Sequence, residues 1–240
     1  MQALTGERLL LAHDQGQCEG ALLRAIVLLE AAMPDTSREE LLALPVAARD
    51  RLLLRLRQLS FGPTLDGYAT CVQCGAAMEF SLAVAAALDG LDEARVPTSV
   101  DWLEDGDTMR LRQITSADLL AALRTGDDGR AEEWLLARSL GFYEINDEAA
   151  ERAALPSVRA HFEQLHAATE LRCTLSCPQC RSDASWSLDI AHFVWLEARH
   201  AARRLLADIH TLALQYGWDE PAIAAMSPRR REAYLELLGA

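Results

Sequence analysis

Cys71-Val72-Gln73-Cys74 and Cys177-Pro178-Gln179-Cys180 are the residues of this sequence best suited to chemistry. Two cysteines separated by two residues are spaced so that one tight turn presents both sulfurs to a single metal ion. The same local pattern follows each pair. Counted from the first cysteine, Phe80 aligns with Trp186, Ser81 with Ser187, Leu82 with Leu188 and Val84 with Ile190. A polar or glycine turn and then an alternating apolar strand is how a zinc knuckle is built. Two knuckles face to face supply four sulfurs, the closed tetrahedral set of structural zinc. Cys71, Cys74, Cys177 and Cys180 are therefore the expected ligands of one structural zinc ion. Nothing in the sequence marks an open coordination position with a general base beside it, as catalytic zinc requires.

Other chemistries are open to the same residues. A thioredoxin-like redox pair sits at a helix N-terminus, where the dipole lowers a thiol pKa, whereas a strand pattern follows each pair here. Disulfides need an oxidising compartment, and no secretion signal is visible. Buried thiols without metal are a further reading. Cys173, four residues before Cys177, reads as a half-buried strand residue rather than a fifth ligand, and Cys18 as a free thiol. His192 and His200 are too far apart for a finger-type histidine pair. His13, His161, His166 and His210 have nothing around them that suggests ligation.

Composition narrows the function further. The chain has 240 residues, half of them hydrophobic, enough to bury a core as one large or two small domains. Its formal charge of -13 argues against holding nucleic acid through phosphate neutralisation. All 23 basic residues are arginine, which excludes Schiff-base lysines and the lysine of a phosphate loop. No glycine-rich phosphate loop, nucleophile elbow or His-Glu-x-x-His helix is present. The most apolar run, Ala21 to Met33, is interrupted by Arg24 and Glu30, so no membrane span is expected. The expected location is the cytoplasm.

The elements that must position the cysteines read as an α+β protein, mainly helical, with two small zinc-knuckle β units packed together. An N-terminal helical segment occupies 1–36, with a helix over 20–33. The region 37–190 carries the knuckles, one within 66–114 and the other within 169–190. Ser37-Arg38-Glu39-Glu40 is a capping box opening a short helix. Over 46–60, Leu52, Leu53, Leu56 and Leu59 form one side, and Arg49, Arg51, Arg55 and Arg57 lie around the rest as a solvated face. Met78, Phe80, Leu82 and Val84 alternate as a strand, as do residues from Thr108 to Ile114. Thr115 opens a helix, another spans about 130–140, and 147–167 is helical with a break near Pro156. The region 191–240 begins with one amphipathic helix from Ala191 to Tyr216, roughly 40 Å long at ~1.5 Å per residue. Gly217 supplies its C-cap, and two short helices follow, starting at Asp219 and Ser227.

The long helix leading into Tyr216-Gly217-Trp218-Asp219-Glu220, the Ile223 and Met226 helix, and Ser227-Pro228-Arg229-Arg230-Arg231 with Tyr234-Leu235 resemble the C-terminal signature of small phage tail and baseplate assembly proteins. Leu44-Pro45, Ala48-Arg49-Asp50-Arg51, Phe61-Gly62-Pro63, the Cys-x-x-Cys pair and Thr115-Ser116-Ala117-Asp118-Leu119 follow in the order found in bacterial relatives of the baseplate hub assembly chaperone of T-even phages. The resemblance covers about residues 37–240. It implies an accessory or assembly role in a tailed-phage or contractile injection particle, not an enzyme. The implied partners are baseplate, spike or hub proteins, and the implied location is cytoplasmic with association to the particle. Trp218, Arg229, Arg230 and Tyr234 are the residues best suited to such a partner, since aromatic and Arg side chains dominate interface energetics. The alternative is a zinc-dependent or thiol-based enzyme, such as an oxidoreductase, with an exposed low-pKa thiol.

Overall fold

A computed structural model describes residues 1–91, 96–144, 146–167 and 169–239. The order is α1 (Gly6–Gln17), α2 (Ala21–Ala32), α3 (Arg38–Ala43), α4 (Val46–Phe61), β1 (Thr64–Thr70), β2 (Ala77–Ala83), α5 (Val84–Gly90), β3 (Ser99–Glu104), β4 (Asp107–Arg112) and α6 (Ser116–Leu123). It continues with α7 (Asp128–Ser139), α8 (Asp147–Ala153), α9 (Pro156–Ala167), β5 (Arg172–Ser176), β6 (Asp183–Ser187), α10 (Ile190–Tyr216), α11 (Glu220–Ala224) and α12 (Pro228–Gly239). The protein is mainly helical, and each consecutive pair of strands forms its own two-stranded antiparallel sheet.

The largest core gathers around α10. Its buried stripe of Val194, Trp195, Ala198, Ala202, Leu205, Ile209 and Leu212 packs against α1, α2, α4 and α11. The stripe follows the three- and four-residue steps legible in the sequence. Asp189 caps the start of α10 by accepting from the His192 N–H, and Gly217 ends it at φ 68°, a left-handed conformation that costs glycine little. α2 is buried almost all round, with Ala25, Ile26, Val27, Leu28 and Leu29 inaccessible, because α1, α3, α4 and α10 enclose it. The first 36 residues thus contribute to the same core as α10.

A second core lies between the cysteine pairs. The β3–β4 hairpin brings Met109 and Leu111 against Leu136 of α7, Ala149 and Ala153 of α8, and Val158 and Leu165 of α9. The two cores meet where Pro45 bridges Thr115 and the Val46 N–H donates to the Ile114 carbonyl. His166 closes this seam: its Nε2 accepts from the Ile114 N–H, so Nδ1 carries the proton and donates to the Phe162 carbonyl.

Three expectations need correction. The β region expected over 66–114 is two separate hairpins, β1–β2 and β3–β4, with α5 between them, and they pack in different cores. Val84 and Ile190 begin helices rather than ending strands. Both are buried, and turning into a helix there lets each enter the helical core, whereas a continued strand would leave its apolar face uncovered. On α4, Leu59 is exposed, while Arg49 and Arg57 are buried rather than solvated. Both guanidiniums are buried because each meets a partner, Arg57 on α10 and Arg49 at the start of α6. Arg57 is bidentate to Glu197 of α10 at 2.8 Å and also donates to the Gly62 carbonyl. Arg49 pairs with Asp50 at 2.7 Å and reaches the Ser116 hydroxyl. The Ser37–Glu40 and Thr115–Asp118 capping boxes are both formed.

Candidate metal centre

Each cysteine pair occupies the turn of its hairpin. In β1–β2, the Cys71 N–H donates to the Ala76 carbonyl, and the Cys71 carbonyl accepts from Gly75. In β5–β6, the Cys177 N–H donates to the Ser182 carbonyl, and the Cys177 carbonyl accepts from Arg181. The residue after the second cysteine must adopt positive φ to complete the turn. It is glycine in one copy (Gly75, φ 75°) and arginine in the other (Arg181, φ 60°). The strands behind each turn also correspond, since Gly67 faces Phe80 and Cys173 faces Trp186. At Gly67 a Cβ would meet the outer edge of the Phe80 ring, so a larger residue there needs that ring to shift. Cys173 has room for its side chain and lies outside the sulfur cluster.

The two turns face each other and bring all four predicted ligands together. The Sγ atoms of Cys71, Cys74, Cys177 and Cys180 lie within 4.8 Å of one another. Cys71 is 3.6 Å from Cys180, and Cys74 is 3.7 Å from Cys177. A tetrahedral site with Zn–S bonds of ~2.3 Å has sulfur–sulfur edges of about 3.8 Å, so the set fits a four-coordinate divalent ion. Cys71 and Cys177 are buried, packed with Met78 and against Leu175 and Trp186, while Cys74 and Cys180 are exposed.

The electrostatics of the cluster point to the same chemistry. The Ser182 hydroxyl lies 3.0 Å from the Cys180 sulfur and 3.5 Å from that of Cys71. Hydrogen bonds from Ser182 and from the Cys74 and Gln73 N–H groups hold the Cys71 thiol down to about 6. Ser182 likewise lowers Cys180. At Cys74 the Ala76 N–H acts in the lowering direction, but desolvation and the other three thiols outweigh it and push the pKa up to about 12. Four sulfurs this close cannot all carry charge without a cation to neutralise them, and a divalent ion bound there would release their protons. These four residues would hold such an ion, which would supply cross-linking of the two hairpins.

Ser182 is a member of the sulfur cluster's surroundings that the cysteine motif does not signal. The first copy has Ala76 at the equivalent position, so the repeat gives no signal for a hydroxyl there. The proposed partner residues lie at the far end of α10. Trp218 stacks on Tyr216 at 4.5 Å, and the edge of Tyr234 meets it at 4.9 Å. Arg230 sits 5.9 Å over the Tyr234 ring, and Arg229 is exposed. The third arginine of that run, Arg231, is instead buried, paired with Asp208 and donating to the Met226 carbonyl.

No helix is long and apolar enough to cross a membrane among the described residues. No protein-family model matches the chain, and no curated protein and no solved structure matches it either.

Proposed function

We propose that this protein is a non-enzymatic assembly chaperone or accessory subunit for the baseplate of a phage tail-like contractile injection particle, held in shape by a structural zinc ion. The observation that carries the assembly role is the ordered motif set from Leu44-Pro45 to Tyr234-Leu235 and its resemblance to the hub assembly chaperone relatives. The zinc reading is supported by the four converging sulfurs, a donor set that favours soft or borderline metals over magnesium or calcium. With four protein ligands the coordination sphere is closed, which suits a scaffold better than a catalyst. Partner binding falls to the aromatic cluster of Trp218 and Tyr234 with Arg229 and Arg230, and the proposed partners are baseplate, spike or hub subunits in the cytoplasm. Affinity purification of the tagged chain from cells making the particle, followed by mass spectrometry, tests the role. Enrichment of baseplate, spike or tube subunits is expected, and their absence while particles are being made overturns it.

The thiol-enzyme reading keeps one observation in its favour, the exposure of Cys74 and Cys180 with the lowered pKa of Cys180. It predicts rapid alkylation of the metal-loaded protein at neutral pH. The scaffold reading predicts protection until a chelator is added.

A further inference from the structure

α10 has two faces, and the core covers only one. On the side opposite the buried stripe, Leu196, His200, Arg203, Ala207, His210 and Leu214 recur in alternating four- and three-residue steps. Leu214 is 70% exposed, and all but the half-buried Leu196 are open to solvent. That spacing is the seam of a left-handed helix pair, with small Ala207 near the middle, where a second helix could approach closely. The charge on this face is unusual for the chain. Glu197 and Asp208 are the only acids between Ile190 and Tyr216, and both are held by buried guanidiniums, Arg57 and Arg231. Arg199, Arg203 and Arg204 form no ion pair among the described residues. A chain with 36 acidic and 23 basic residues thus keeps a carboxylate-free strip of arginine, histidine and leucine along a helix of 27 residues.

We infer that this face of α10 docks an acidic amphipathic helix of a partner protein, with apolar residues against Leu196, Ala207 and Leu214 and carboxylates beside Arg199, Arg203 and Arg204. A second copy of the chain does not fit, because pairing α10 with itself sets arginine against arginine. Nucleic acid fits poorly, because leucines punctuate the strip and the net charge of -13 repels phosphate. Electrostatic complementarity of this kind sets partner choice and speeds encounter, and the apolar positions hold the complex. The docking needs no particular identity for the partner's assembly, so it stands or falls apart from the baseplate proposal.

The test uses the full metal-loaded chain and a displayed library of helices of about 28 residues, matching the length of α10. Library members carry a leucine seam flanked by Glu, Gln or Lys. Enrichment of Glu-flanked helices is expected, with binding weakened by salt. Kd should rise at least about tenfold with Arg203→Glu or Leu214→Glu and stay unchanged with Arg55→Glu on the exposed side of α4. Both positions are exposed, so circular dichroism should show an unaltered fold. No enrichment, equal enrichment of Lys- or Gln-flanked helices, or equal binding by the charge-reversed variants overturns the proposal. So does equal competition by a DNA oligonucleotide, or self-association abolished by the same substitutions.

Discussion

At the scale of single residues, the side chains that matter most are those whose partners come from distant parts of the chain. Cys177 is buried in the sulfur cluster and has no substitute as a donor. Cys177→Ser should abolish stoichiometric metal binding and lower the thermal midpoint by roughly 10 °C, read by metal analysis and calorimetry. Asp118 matters as much, through partners nearer in the chain. Fully buried, it accepts from Arg112, from Arg138 and from the Thr115 N–H and hydroxyl. Desolvation works to raise its pKa, but the Arg112, Thr115 and Arg138 bonds outweigh it and bring the value down to about 2. Because the folded-state pKa is depressed, the stabilisation is fully present above the ordinary carboxylate pKa of about 4 and is lost as pH falls from there to about 2. Asp118→Asn should cost on the order of 3 kcal/mol at neutral pH, by leaving two guanidiniums short of a counter-charge. Denaturant melts of the variant should also lose this part of the acid dependence.

At the scale of elements, packing overrules local preference in α1 and in the second knuckle. A glycine inside a helix usually gains about 1 kcal/mol on replacement by alanine. Gly16 is an exception, because a Cβ there would strike the Trp195 ring where α1 lies against α10. Gly16→Ala should therefore destabilise by about 1–3 kcal/mol, measured by urea unfolding. The knuckle turns give the opposite sign. Arg181 holds a left-handed backbone that its counterpart Gly75 adopts freely. Arg181→Gly should keep metal stoichiometry and gain up to about 1 kcal/mol, less what glycine's greater freedom in the unfolded chain returns.

For the whole molecule, a metal ion held by the four cysteines would act as a clasp. Cys74 and Cys177 are 103 residues apart, and between the two pairs lie α5 and the entire second core. Tying positions so distant removes much of the freedom of the unfolded chain, as a cross-link does. Metal removal by a strong chelator should thus lower the thermal midpoint, and added zinc should restore it. Hydrogen exchange should rise first in β1–β2 and β5–β6, with α2 and α10 the slowest to follow, because most of their core is built from helix side chains away from the sulfurs. Uniform loosening of α2 and α10 with the hairpins would show instead that the metal holds the main core.

The four-cysteine cluster, the capping box at Ser37, the helix start at Thr115 and the extent of α10 were all legible in the sequence. Each is written in residues close together in the chain, where spacing alone dictates the geometry. Alternation in the 78–84 segment did not locate the strand end, because Val84 satisfies both a strand pattern and the first buried position of a helix. The burial of Arg49 and Arg57 was likewise invisible, since guanidiniums become buried only when a distant carboxylate or hydroxyl is brought to meet them. Ser182 and Asp118 gained their roles in the same way. Local spacing fixed which groups the chain can present and on which element. Tertiary structure alone decided which of them meet, because desolvation and pairing depend on neighbours that the order of the chain does not specify.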